Sequence, residues 1–254
     1  MLACYLVNFF NESTLSMSGH SHWATTHRAK GVNDAKRAAV FTKAGRNIIL
    51  AAERGGGNPD SNYLLKIAIS EARALNMPKD RIERAIKRGT GELVGEKIEP
   101  IMYEGFGPGQ VAVLIETTTD NKNRTVSELR SLCTKKGGKL GNSGSVAFLF
   151  QRVGLLAFDT SVTSVEKLEE LTIESGAQDY TVNENIFTVY TEVDALQTVQ
   201  AFFESQSLTP TAAQLGWRPT QTVTLDAETQ KTFDMFLEEL QDHQDVQAVW
   251  NNLA

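Results

Sequence analysis

The hydrophobic period of this chain changes once, and that change limits the folds open to it. Up to about residue 90, apolar residues recur at the three- and four-residue spacing of a helix. Past Glu92, short apolar runs rich in Val, Ile and Phe alternate with helical stretches, the pattern of an α/β fold. Over 33–54, Ala38, Phe41, Ala44, Gly45, Ile48, Ile49 and Ala52 share one side of a helical wheel. Lys36, Lys43, Arg46 and Arg54 share the other, with Arg37 as an exception at the apolar edge. Asn33 is the expected N-cap of this helix and Gly55-Gly56-Gly57 its stop. A second helix is expected over 61–74, with Leu64, Leu65, Ala68 and Ala72 at core spacing. A third starts at Pro78, a favoured first position, and stops at Gly89. In it Arg81, Arg84 and Arg88 form one stripe, with Ile82, Ala85 and Ile86 opposite.

The second half reads as a strand at 111–117, a helix at 123–136 and a strand at 145–150. A strand at 153–158, a helix at 165–174, strands at 178–182 and 186–190, a helix at 195–205 and a strand at 211–217 follow. That order is βαββαβ, the ferredoxin-like unit. A final helix at 227–240 and strand at 245–250 have no place in a completed unit, so they are expected to return to the middle region. The expected fold is therefore multidomain α and α/β. A basic helical domain spans 17–96, a middle α/β domain spans 97–151 plus 218–254, and a ferredoxin-like βαββαβ domain is inserted at 152–217. Residues 1–16 contain no Lys or Arg, which argues against a signal or transit peptide, and Met17 follows at once. They are expected to be an upstream extension.

The net charge of −6 conceals a segregation. Residues 17–90 carry 14 Lys and Arg against 6 Asp and Glu, whereas 141–254 carry 4 against 17. Such asymmetry points to a polyanionic partner for the basic end. No apolar run is long enough for a membrane span. Of the two cysteines, Cys133 lies beside Leu129 and Leu132 and is expected to fill core. No P-loop and no GxSxG motif occurs, and Gly105 to Gln110 precedes a strand instead of opening a helix, so it reads as a tight turn. Beyond His27 the only histidine is His243, which leaves no nucleophile with a base, and no enzymatic activity is expected. His20, His22 and His27 match no zinc spacing, so neither a metal nor a cofactor is expected.

What remains is cationic. The stretch GHSHWATTHRAKG sets His20, His22, Trp23, His27, Arg28 and Lys30 among small residues, and reads as an arm that orders on a partner. Lys and Arg neutralise phosphates, and Trp or His rings stack on bases. Lys36, Lys43 and Arg46 on the first helix and Arg81, Arg84 and Arg88 on the third extend this surface. Two further clusters lie in the middle region: Lys122 with Arg124, and Lys135, Lys136 and Lys139 around Gly137-Gly138. These residues are the candidate nucleic-acid contacts. An adaptor role for the acidic half is the alternative that charge alone leaves open.

Seven segments are similar to one known family: GHSHWATTHRAKG, DAKRAAVFTKAGRNI, AAERGGGNP, NMPKDRIERAIKRGTGE, YEGFGPGQVAV, TDNKNRT and KKGGKLGNSGSV. The chain resembles the YebC/PmpR family of probable transcriptional regulators, which includes mitochondrial translational activators. The resemblance implies three domains around a cleft, no cofactor and a cytoplasmic location. It also implies either DNA-binding transcriptional regulation or action on translation at the ribosome, including relief of stalling. The absence of a helix-turn-helix or zinc finger favours RNA on physical grounds, while the family label favours DNA.

Overall fold

The structure, a computed structural model, describes residues 22–254 except Glu96 and Glu184, with side chains described from Arg37 onward. The expected extension at 1–16 lies outside the described residues. Two compact units divide the chain, one ending at Ile98 and the other running from Glu99 to Ala254.

Among the described residues, the regular elements of the first unit are all helical: α1 His22–Gly55, α2 Tyr63–Ala74 and α3 Lys79–Gly89. Helix α1 begins well before Asn33, which is therefore not its N-cap, and residues 22–31 of the expected arm are helical. Alanine, lysine and arginine between 24 and 38 favour helix strongly, and the single Gly31 costs only about 1 kcal/mol. Phe41, Ala44, Ile48, Ala51 and Ala52 of α1 pack on Leu65, Ala68, Ile69 and Ala72 of α2 and on Ile82 and Ala85 of α3. Ala38 and Leu64, both expected in the core, are exposed. Buried Asn62 joins two helices. Its Oδ1 accepts from the Leu65 backbone N–H at 3.1 Å to start α2, and its Nδ2 donates to the carbonyls of Ala51 and Gly56, each at 2.8 Å, at the end of α1. Gly89 lets α3 lie directly against α1, since a Cβ there would stand 2.4 Å from the Ile49 carbonyl oxygen.

The second unit holds two four-stranded antiparallel sheets. The first comprises β1 Glu99–Phe106, β2 Ala112–Thr119, β3 Lys139–Leu140 and β8 Val246–Asn251, in the order β3-β1-β2-β8. Its helices are α4 Lys122–Lys135 and α7 Ala227–Asp242. A 3-10 turn at Pro108–Gln110 joins β1 to β2, so the Gly-Phe-Gly-Pro-Gly run is the tight turn expected of it. The second sheet comprises β4 Phe150–Asp159, β5 Asp179–Asn183, β6 Ile186–Thr191 and β7 Ala212–Pro219 in the order β5-β6-β4-β7. Helix α5 Val165–Glu174 lies between β4 and β5 in the chain, and α6 Leu196–Ser205 between β6 and β7.

Strand β2 is buried on both faces, which explains its nearly unbroken apolar run. Val113 and Ile115 face Leu129 and Cys133 of α4 and Phe233, Phe236 and Leu240 of α7. Ala112 and Leu114 face the other sheet, in a cluster with Val153, Leu155, Tyr190 and Trp250. Gly216 of β7 admits the Trp250 ring of β8, because a Cβ would stand 2.4 Å from its Cη2. Two sequence expectations fail here. The stretch 145–150 is not a strand but a 3-10 turn at Ala147–Leu149 leading into β4, and β1 was not expected at all.

Candidate nucleic-acid interface

Helix α3 presents the clearest cationic face. Its apolar side is spent on Ile82 and Ala85, which leaves Arg81, Arg84 and Lys87 exposed and Arg88 half-buried. The stripe is not uniform. The Arg81 guanidinium stands 5.5 Å from the centroid of the Phe41 ring, and that of Arg37 stands 5.7 Å from it. That contact gives Arg37 a role at the apolar edge, since a cation over an aromatic face is attracted to it. Arg88 packs against Gly95, where a Cβ would meet its Nε at 2.3 Å. Arg84 and Lys87 are the fully presented cations. Lys43 and Arg46 are half-buried on α1. His22, Trp23, His27, Arg28, Lys30 and Lys36 lie on the α1 backbone, their side chains outside the described residues, and His20 lies outside altogether.

In the second unit the candidates divide. Lys122 pairs with Glu99 at 2.5 Å, and the hydrogen bond to that carboxylate raises its pKa. Arg124 reaches Asp245 at 3.1 Å and Asp120 at 2.7 Å, and these hydrogen bonds hold it still more firmly charged. Asp245 is fully buried and also accepts from the Thr125 hydroxyl at 2.8 Å. A carboxylate placed there needs its cation, so Arg124 fastens α4 to the start of β8. Lys136 pairs with Glu239 of α7. Lys135 and Lys139 are exposed and enter no ion pair among the described residues.

Glu128, His243 and Asp245 bring their donor atoms within 4.8 Å of one another, a grouping that no sequence spacing announced. His243 Nδ1 accepts from the Asp245 backbone N–H at 3.2 Å, so the proton sits on Nε2, which donates to Glu128 at 3.1 Å. With both ring nitrogens engaged and Arg124 on Asp245, the set is satisfied by its own hydrogen bonds.

Sequence reasoning also missed Glu104, a carboxylate buried in β1. It accepts from the backbone N–H groups of Gly144 at 2.6 Å, and of Val146 and Ala147 at 2.8 Å each. Burial opposes its charge, but these donors outweigh burial and lower its pKa. The Gly141 N–H donates to the Glu104 carbonyl at 2.7 Å, so one residue holds both ends of the loop that follows β3. Cys133 is the core filler expected, its thiol pushed up to about 11 by burial. Among the described residues, no helix is long and apolar enough to cross a membrane.

Residues 21–92 match the family description "TACO1/YebC protein N-terminal domain", and residues 98–253 match "TACO1/YebC second and third domain". A Treponema denticola protein named probable transcriptional regulatory protein is 45% identical over 237 residues, covering 93% of this chain and 96% of its own. A Desulfosudis oleivorans protein of the same name is 44% identical over 238 residues, covering 94% and 97%. The crystal structure of a conserved hypothetical protein from Aquifex aeolicus superposes with a TM-score of 0.82 at 43% identity, covering 87% of this chain and 91% of that one.

Proposed function

Because this chain belongs to the TACO1/YebC family, we propose that it is a non-enzymatic regulator of gene expression that binds nucleic acid through its helical unit. The regulatory role comes from the names of its relatives. The binding role rests on one observation: α3 turns Arg84 and Lys87 to solvent while Ile82 and Ala85 face the core. Such a face meets phosphate oxygens without disturbing the bundle. Arg81 and Arg88 add charge but also serve the fold. Lys135 and Lys139 supply a second cationic site. Arg124, Lys122 and Lys136 belong to internal ion pairs and carry less of the binding.

Arg84→Glu with Lys87→Glu tests the placement better than any variant of Arg81, whose loss removes support from Phe41. With labelled DNA or RNA, the double variant is expected to flatten the slope of log affinity against log salt by about 2, roughly one counterion per lost contact. A folded double variant with the wild-type slope refutes the placement. Phosphates are common to both nucleic acids. Ribosome co-sedimentation set against promoter gel shifts therefore assigns the level of regulation.

A further inference from the structure

The helical unit carries an apolar recess of about 280 Å³. Ile69 of α2, Met77 of the turn after it and Ile82 of α3 line it, each less than a tenth exposed. Half-buried Pro59 and Ile86 line it as well. Pro59 belongs to the loop between α1 and α2, and its neighbour Asn58 fixes that loop. The Asn58 side-chain oxygen accepts from the Asp60 N–H at 3.0 Å, and its carbonyl accepts from the Ser61 N–H at 3.3 Å. The recess is therefore preformed. Its size sits just under the roughly 300 Å³ at which small-molecule pockets begin, enough for one ring system and little more.

The mouth of the recess is charged. Arg73, Lys79 and Glu83 complete the lining, and all three are exposed. Arg73 enters no ion pair among the described residues. Lys79 meets Glu83 at 3.6 Å with both ends in water, a contact that opens readily. Along α3, Lys79, Glu83 and Lys87 follow one another at four-residue spacing, and Arg84 stands beside Lys87 at three. The recess thus opens next to the two cations that carry the phosphate-binding reading. Phosphates go to such cations, whereas the apolar part of a nucleic acid is the face of its bases. Ile, Met and Pro side chains are suited to pack on those faces. In a duplex the faces are stacked on one another, so a recess can take one only from an unpaired or turned-out nucleotide. A protein hot spot of this kind would be ringed by further apolar contact area. Here the ring is made of charged side chains.

We propose that this recess receives a single unpaired base of the bound nucleic acid, with Arg73 and Lys79 at its mouth, and Lys87 and Arg84 beyond, taking the neighbouring phosphates. The proposal deepens the nucleic-acid-binding reading and rests on it.

The test uses the full chain with isotope-labelled methionine methyl groups and probes of about twelve residues: single-stranded RNA, single-stranded DNA, a matched duplex, and an abasic strand that keeps the phosphates without the bases. A base in the recess is expected to shift the Met77 methyl resonance through its ring current. Single strands are expected to produce that shift and to bind on the order of tenfold tighter than the abasic strand. The duplex and the abasic strand are expected to bind through phosphates alone and to leave the resonance in place. Glu83→Phe, which fills the mouth, is expected to abolish both the shift and the preference for bases. Glu83→Gln removes the same charge without filling the recess and is expected to keep both. Comparison of the RNA and DNA arms identifies the natural strand. A Met77 resonance unmoved by single strands that bind, the same shift with the abasic strand, or a folded Glu83→Phe protein that keeps both effects overturns the proposal and leaves the recess to an apolar side chain of a protein partner. The wider reading survives that outcome if wild-type affinity for the abasic strand falls steeply with salt. It fails, taking this inference with it, if the wild-type protein binds none of the probes.

Discussion

Glu71 of α2 is half-buried, and burial pushes its carboxyl up to about 7 from an ordinary 4.5. The folded chain therefore keeps a proton between about pH 4.5 and 7 that the unfolded chain has released. Its effect on stability is absent below that window, grows unfavourable as pH rises through it, and is constant above. Urea unfolding of the wild type should lose on the order of 2 kcal/mol from this group between pH 5 and pH 8, and Glu71→Gln should abolish that loss. A variant whose pH profile parallels the wild type would show that another group is responsible. Glu104 has the opposite sign: its lowered pKa adds stability above the ordinary carboxylate range, lost as pH falls through the folded value. Neither residue was legible in the sequence, where both pass for surface charges. Burial of Glu71 and the donors on Glu104 are set by residues it meets only after folding. For Glu104 these lie 40 to 43 positions away.

The helices that pack one face were the most legible elements, because a 3.6-residue period fixes which side chains turn inward. Helix α3 follows its expected pattern closely. At this scale the decisive contact is backbone against backbone: Gly89 on the Ile49 carbonyl. Gly89→Ala should force α3 away from α1 and destabilise the helical unit by about 1–3 kcal/mol, read as a lowered urea midpoint. An unchanged midpoint would mean that the helices yield without cost. Strands were less legible wherever hydrogen bonding departs from the ladder. The sequence Ser-Val-Ala-Phe-Leu-Phe has the composition of a strand, yet the N–H groups of Val146 and Ala147 turn to Glu104 and it enters β4 only at Phe150. Strand β1 escaped notice because Pro100, Glu104 and Gly105 break any alternation. The cationic stripe of α3 could be read from spacing alone. The Arg81 contact with Phe41 and the Arg124 contact with Asp245 could not, since they join residues 40 and 121 positions apart.

Across the whole chain, charge follows the division into units: the helical unit is basic and the two-sheet unit carries most of the acid. The two-sheet unit is in turn closed by its last strand. Strand β8 lies antiparallel to β2, with Asn252 Oδ1 accepting from the Ala112 N–H at 2.8 Å just beyond it. Removal of residues 246–254 should leave β2 as a bare apolar edge and withdraw Trp250 from Gly216, so the shortened chain is expected to associate. Size-exclusion chromatography checks this, and a monodisperse monomer would contradict it. The same closure has a temporal side. During synthesis the second sheet, made from residues 150–219, can assemble while its neighbour still lacks an edge. Strand β2 must wait for 246–251 to leave the exit tunnel before it acquires that neighbour. Throughout that interval a nascent chain exposes one of its most apolar segments, so chaperone demand should last until 246–251 emerges and pairs.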